Sequence, residues 1–410
     1  MIKSKTIFVV VFLLGVLFRY LMTIWVPQPF VFDQVEYHNF AVDILQKGLT
    51  ASTNRLYGYP LFLALIYKIF GAGNLMAVYI IQSILDTATG FLVFLISKKF
   101  FKNKKVSWFV LFMYLFNPFT SSYAGVFLTE TLVTFLLTLI AYLSFLTVEY
   151  TKKIYLFALL SLLLGYLPQI RGTFLFFDIA ILLFLIIFLL RKSGFRKVYL
   201  GILATGLFIL PFIYNIAGNL IYYKQFSIMT VDNIPVREFY VSLFMPYIPA
   251  LRMHDRTLLP NEARILYSEY SSKPKNTLER KAMANKYLNL SIKIIETNPA
   301  KFMISFLKKT VTVWQRQSIY PYTVERNDKI IFIIYWINNL LLLFSIFGFI
   351  RYANSGHKLP FFSFWWVFLV LYTSIIHAFS GADGRYSLPA YPFIILFAGY
   401  GVGKLYESKF

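Results

Sequence analysis

The sequence predicts an all-α polytopic membrane protein of about ten transmembrane helices with one mostly helical extracytoplasmic insert. Three observations carry that expectation. Hydrophobic residues make up 58% of the 410 and charged residues only 14%, against about 25% charged in soluble domains. Apolar runs of about 20 residues, the length a helix needs to cross the hydrocarbon, recur along the whole chain. Lysine and arginine gather in alternate connections between those runs.

The runs fall at 7–27, 76–97, 106–122, 128–147, 154–170, 173–190, 198–219, 329–350, 360–378 and 387–403. The first ends in "WVPQPF" without a small-residue cleavage pattern, so it reads as a retained helix rather than a signal peptide. With the N-terminus inside, the inner segments are Lys3/Lys5, "KKFFKNKK", "EYTKK", "RKSGFRK", "RYANSGHK" and "KLYESKF", which hold 17 Lys and Arg. The short outer segments hold five: Lys47, Arg55, Lys68, Arg171 and Arg385. Ten spans with both termini cytoplasmic satisfy the bias throughout. Nearly half of the basic residues behind the net charge of +22 are then topology signals, which argues against a nucleic-acid partner.

Residues 1–219 form an N-terminal membrane module containing the outer loop 28–75, residues 220–328 an extracytoplasmic insert, and residues 329–410 a C-terminal hairpin and final span. Within the insert, "NPAKFMISFLKKTVTVW" starts with a capping Asn298 and Pro299. An apolar face with Lys301, Lys308 and Lys309 opposite predicts a helix lying on the membrane surface. Cysteine is absent, which removes disulfide and thiolate chemistry. The four histidines have no metal-type spacing.

Polar residues cluster on the face expected to be outside. Asp33, Glu36, Tyr37 and Arg55 lie in the first outer loop, Glu130 opens the fourth span, and Arg171 separates the fifth from the sixth. His377, Asp383, Arg385 and Tyr386 end the last hairpin. Charge beside hydrocarbon is costly, so these are the functional candidates. Each also has a structural reading. Asp43 and Lys47 at i, i+4 form a solvated helix pair, Glu130 complements a helix dipole, and Arg171 and Arg385 anchor headgroups. Asp86 inside the second span pairs with Arg19 or serves function. Asp178 is expected at the interface. Residues 34–47 form an amphipathic helix with Val35, Phe40 and Ile44 on its apolar side.

"FDQVEYHNFAVDILQKG" followed by "RLYGYPLFLALIYKIFG" resembles the start of the family 39 type of GT-C membrane glycosyltransferases. These include lipid A aminoarabinose transferases and protein O-mannosyltransferases. Asp33, Tyr37, Ala41 and Gly48 occupy the motif positions. "ILPFIYNIAGNLIYYKQFSIMT", "ETNPAKFMISFLKKTVTVW" and "GRYSLPAYPFIILFAGYGV" resemble later segments of that family. Gln34 stands where many members carry Glu, and Tyr214 where an Arg often precedes the Asn.

The resemblance implies a GT-C type bundle that moves a sugar from a polyprenyl-phosphate donor to an extracytoplasmic lipid, polymer or protein. On that reading Asp33 and Glu130 are catalytic. Glu36, Tyr37, Arg55, Tyr59, Arg171, His377, Arg385 and Tyr386 bind substrate. No cofactor is identified beyond a divalent cation that Asp33 and Glu130 would share. A phosphate leaving group calls for cations rather than a general acid, and the attacking hydroxyl for a base, which is Asp33. The competing readings are a transporter or flippase of lipid-linked sugars, with Arg19 and Asp86 at its midplane, and a structural subunit.

Overall fold

The computed structural model describes residues 2–151, 153–193, 198–244, 260–272, 276–322, 327–355 and 361–407. The basic residues at 196–197 and 358, and residues 245–259 of the insert, lie outside the described residues.

Eighteen helices follow one another, and no strand occurs among the described residues. They are α1 (Ile2–Trp25), α2 (Asp33–Lys47), α3 (Gly58–Phe70), α4 (Leu75–Phe101), α5 (Lys104–Leu115), α6 (Pro118–Ser121), α7 (Glu130–Glu149), α8 (Ile154–Ile170) and α9 (Leu175–Ser193). Then come α10 (Val198–Ile209), α11 (Phe212–Tyr223), α12 (Ile234–Phe244), α13 (Asn261–Ser271), α14 (Thr277–Thr297), α15 (Pro299–Thr312), α16 (Asp328–Ala353), α17 (Phe361–Ala378) and α18 (Tyr391–Glu407).

Six helical segments among the described residues are long and apolar enough to span a bilayer, and a seventh if α10 and α11, bent by 45°, count as one span. The bend falls at Leu210–Pro211, where proline removes a backbone donor. Helices α3, α8 and the described part of α17 are apolar but shorter. The run 106–122 is not one helix: α5 stops at Leu115, and Asn117 caps a new short helix through Phe119 N and Thr120 N, with Pro118 at its first turn. Leu13, Leu17, Leu21 and Ile24 of α1 are exposed, as expected of a helix that faces lipid.

Asn side chains cap α4, α5, α14, α15 and α16, each accepting from a first-turn amide. The Asn298–Pro299 start of α15 is as the sequence predicts. Its lysines divide differently. Lys301 and Lys308 are exposed, whereas Lys309 is buried and donates from Nζ to Ser242 O at 2.8 Å. Helix α15 packs on α17, and this turns one lysine inward while Met303, Ile304, Leu307 and Val311 stay exposed. Burial pushes the Lys309 ammonium down to about 8.

Inside the bundle, Arg19 Nε meets Asp86 Oδ2 at 2.6 Å, and Tyr114 Oη donates to Asp86 Oδ1 at 2.7 Å. Arg19 Nη1 donates to Gly15 O and to Leu115 O, both at 3.0 Å. The carboxylate is thus matched on both oxygens, and the guanidinium also satisfies a carbonyl at the end of α5. Asp178 is fully buried, and neither carboxylate oxygen has a hydrogen-bond partner. Helices α16 and α18 approach so closely that a Cβ on Gly348 would stand 1.9 Å from Phe397 O, which only glycine tolerates.

Candidate active site

Helix α2 begins at Asp33, one residue after Phe32, whose φ of 54° lies in the left-handed region. That conformation is uncommon for a bulky residue and marks a turn held by its surroundings. Gln34, Tyr37, Phe40, Ala41 and Ile44 form the buried face of the helix, at the i, i+3, i+7 spacing of one helical stripe. Asp33 and Glu36 are on its first turn, where the helix dipole favours carboxylates. Asp43 and Lys47 form the expected exposed pair at 2.6 Å.

The loop after α2 folds back and delivers Arg55. Its Nη2 meets Asp33 Oδ1 and its Nε meets Glu36 Oε2, both at 2.6 Å, while the guanidinium lies 5.1 Å from the Tyr37 ring centre. Burial disfavours the Arg55 charge, but Tyr37, Asp33 and Glu36 outweigh it and hold its pKa above the ordinary value. Three tyrosines of α11 pin that loop. Tyr214, Tyr222 and Tyr223 donate to the carbonyls of Gly48, Leu49 and Ala51, each at 2.9 Å. Tyr214 also stacks on Tyr57 at 4.2 Å, so this position holds backbone.

Arg385 reaches the same carboxylate from the far end of the chain, with Nη1 3.7 Å from Asp33 Oδ2. Asp383 caps the 3-10 turn Gly384–Ala390 by accepting from Arg385 N at 2.9 Å, and its Oδ2 lies 3.6 Å from Arg385 Nε. Gly384 is needed there, because a Cβ would fall 2.5 Å from Gln315 O. Tyr386 sits between two arginines, with Arg171 at 5.0 Å and Arg385 at 5.2 Å from its ring centre. Its other neighbour is His377, stacked at 4.7 Å. Glu130, the first residue of α7, is buried and has Oε1 3.7 Å from Arg171 Nη1.

Residues from α2 and the loop after it, α7, the α8–α9 connection and the α17–α18 connection therefore meet at one end of the bundle. Tyr59 is placed differently. It is fully buried, donates to Gln82 Oε1 at 2.9 Å and packs edge-on against Tyr37 at 5.0 Å, so it forms the wall behind Tyr37.

Arg316 belongs to the cluster and was not among the sequence candidates. It is buried, its Nη2 lies 3.2 Å from Tyr123 Oη, and its guanidinium is flanked by the rings of Phe119, Tyr123 and Tyr391. Tyr123 is within electrostatic reach of Arg316, Asp383, Glu130 and Arg385. Arg171 Nη1, Arg316 Nη1 and Arg385 Nε are all buried without a hydrogen-bond partner. Buried donors of that kind are costly unless something fills them. From the insert, Arg237 and Glu238 on α12 border the cluster, and Asp232 N donates to Thr53 O at 2.9 Å.

No three His, Cys, Asp or Glu side chains converge as metal ligands among the described residues. Asp33 and Glu130 each face an arginine instead of one another, an arrangement that does not fit a shared divalent cation.

Residues 57–215 match the family model for dolichyl-phosphate-mannose-protein mannosyltransferase, a GT-C glycosyltransferase family. That family is one of membrane glycosyltransferases that use polyprenyl-phosphate-linked sugars. The matched stretch is well under half of the chain. It contains Tyr59, Glu130 and Arg171, and leaves out Asp33, Arg316 and Arg385. No curated protein matches the chain.

Proposed function

We propose that this chain transfers a sugar from a polyprenyl-phosphate donor to a hydroxyl of an extracytoplasmic acceptor in the cell envelope, at a site on the outer membrane face, with both termini in the cytoplasm. The observation that carries the proposal is the set of buried guanidinium groups of Arg171, Arg316 and Arg385, grouped around Tyr123 and Tyr386 beside Asp33: Arg316 Nη1 has no hydrogen-bond partner, and Arg171 Nη1 and Arg385 Nε stand 3.7 and 3.6 Å from carboxylate oxygens, beyond hydrogen-bond distance. Guanidinium donors suit phosphate oxygens, and charge-assisted bonds are the strong ones.

In the reaction the acceptor oxygen forms a bond to the anomeric carbon while the bond from that carbon to the phosphate oxygen breaks. The electron pair leaves on the phosphate, where the arginines offset the growing charge. The acceptor proton passes to Asp33. In this structure Arg55 and Arg385 hold Asp33. A donor phosphate drawn to Arg385 would compete for that guanidinium and leave the Oδ2 side of Asp33 more basic as the acceptor arrives. Glu130 orients Arg171 toward the phosphate.

The transporter reading draws less support here, because both Asp86 carboxylate oxygens are taken by Arg19 and Tyr114, although Arg19 Nη2 is itself buried without a hydrogen-bond partner. The deciding experiment reconstitutes the purified protein in vesicles with a radiolabelled polyprenyl-phosphate sugar and envelope lipids or glycans. Label moving onto an acceptor supports the proposal. Label that only crosses the bilayer on its original carrier would replace it with transport.

A further inference from the structure

Gln34 stands next to Asp33 yet is buried, with 1% of its surface exposed. Its Nε2 donates to Pro29 O at 2.7 Å, and its Oε1 accepts from Phe127 N at 2.9 Å. Pro29 lies in the connection leading to Asp33, and Phe127 lies three residues before Glu130. One side-chain amide therefore ties the backbone that precedes one carboxylate to the backbone that precedes the other.

A second buried amide works on the same segment. Gln82 on α4 donates to Ala124 O at 3.1 Å and to Val126 O at 2.8 Å, and accepts from Tyr59 at 2.9 Å. The segment 124–127 is thus held from both sides, by α4 and by the start of α2. The entry to α2 needs such a tie, because Phe32 adopts its left-handed backbone without any side-chain cap on the helix. Side-chain stereochemistry alone favours another conformation there.

We propose that Gln34 is a positioning residue for transfer: its amide sets the separation between the Asp33 base and the arginine group that Glu130 orients. The inference rests on the transferase reading above. In this chain the two bonds, to Pro29 O and from Phe127 N, call for a group that donates and accepts at once. An ionised glutamate offers acceptors alone and would set a negative oxygen against Pro29 O, whereas a protonated glutamate reproduces both bonds. Glutamate at position 34 should therefore make the geometry depend on pH, which a position concerned only with packing would not do.

The test compares the parent protein, Gln34→Met and Gln34→Glu in reconstituted vesicles, with kcat and donor KM measured between about pH 5 and 8, a range that brackets a carboxyl raised by burial. Gln34→Met should lose about 10–100-fold in kcat with donor KM nearly unchanged, as expected when a reacting group is misplaced but the phosphate contacts survive. Gln34→Glu should be slow at neutral pH and recover toward the parent as pH falls. Hydrogen exchange at the Phe127 amide should be faster in Gln34→Met.

A parental kcat in Gln34→Met, or a Gln34→Glu profile superimposable on the parent's, overturns the proposal. If Gln34→Met does not fold, the Gln34→Glu profile decides alone. If the parent itself transfers no sugar, the transferase reading fails instead, and unchanged exchange at Phe127 would then show that the tie is absent as well.

Discussion

Replacing Asp33 with Asn separates its chemistry from its structural part. Asp33 and Arg55 keep 21% and 23% of their side-chain surface, and Arg55 retains its 2.6 Å bond to Glu36 when Asp33 loses its charge. No cation is orphaned, so the stability cost is that of a partly screened pair, about 1 kcal/mol or less. Loss of a general base costs about 10²–10⁴ in rate, or roughly 3–5 kcal/mol of barrier. Asp33→Asn should therefore express and melt close to the parent while transfer collapses. The assay pairs a thermal melt in detergent with transfer from a polyprenyl-phosphate sugar in vesicles. Transfer at the parental rate would remove Asp33 as the base. A melting temperature that falls in step with activity would show that it serves the fold.

Arg385→Ala and Arg316→Ala should each weaken donor binding by about 10–100-fold, the value of one charge-assisted bond, read as donor KM; an unchanged KM for both would take the phosphate away from this cluster. Arg19→Met should lower folded yield sharply, since breaking a buried pair costs about 3–5 kcal/mol, and Arg19→Met with Asp86→Leu together should recover much of it; yields that do not recover would mean that the pair has another duty. Lys309 is pushed down to about 8 in the folded chain from an ordinary value of about 10.4 when unfolded. Between those values the unfolded chain binds more protons, so stability should rise as pH climbs from about 8 to 10, and that rise should vanish in Lys309→Met. A membrane-impermeant thiol reagent should label Lys47→Cys in intact cells and leave Lys102→Cys unlabelled; the reverse would invert the topology read from charge.

Seven of the ten expected spans, counting the bent α10–α11 pair as one, were legible because the solvent of a membrane helix is itself apolar; the runs 106–122, 154–170 and 360–378 fall on shorter helices among the described residues. The break after Leu115 was not, since a hydropathy average runs smoothly across Asn117–Pro118 even though those residues restart the helix. The pairing of Asp43 with Lys47 could be read from four-residue spacing, whereas Arg55 on Asp33 and Arg385 on Asp33 are products of loop closure and bundle packing. Charge sorting by face still placed those residues at one end, because the number of spans between them determines the side. Arg316 escaped because it follows a helix that the sequence reading places on the membrane surface. Its setting among Trp314, Tyr320 and Tyr322 was the available signal. The buried side of α2 was misjudged for a related reason: Gln34 and Tyr37 count as polar, yet their partners lie inside the protein.

The contact between Arg19 and Asp86 also constrains how the chain is made. Arg19 lies in α1 and its partner follows 67 residues later in α4, so α1 leaves the ribosome before Asp86 is made. Until then α1 carries an unneutralised guanidinium, a burden of about 2.5–3.5 kcal/mol at mid-membrane on insertion scales. The apolar length of α1 is enough to hold it in the bilayer meanwhile. Release into lipid should become favourable only when α4 arrives with Asp86 and α5 adds Tyr114 and the Leu115 carbonyl. Helix α1 would then wait beside the insertion machinery for α4 and α5, and the three would leave as a unit.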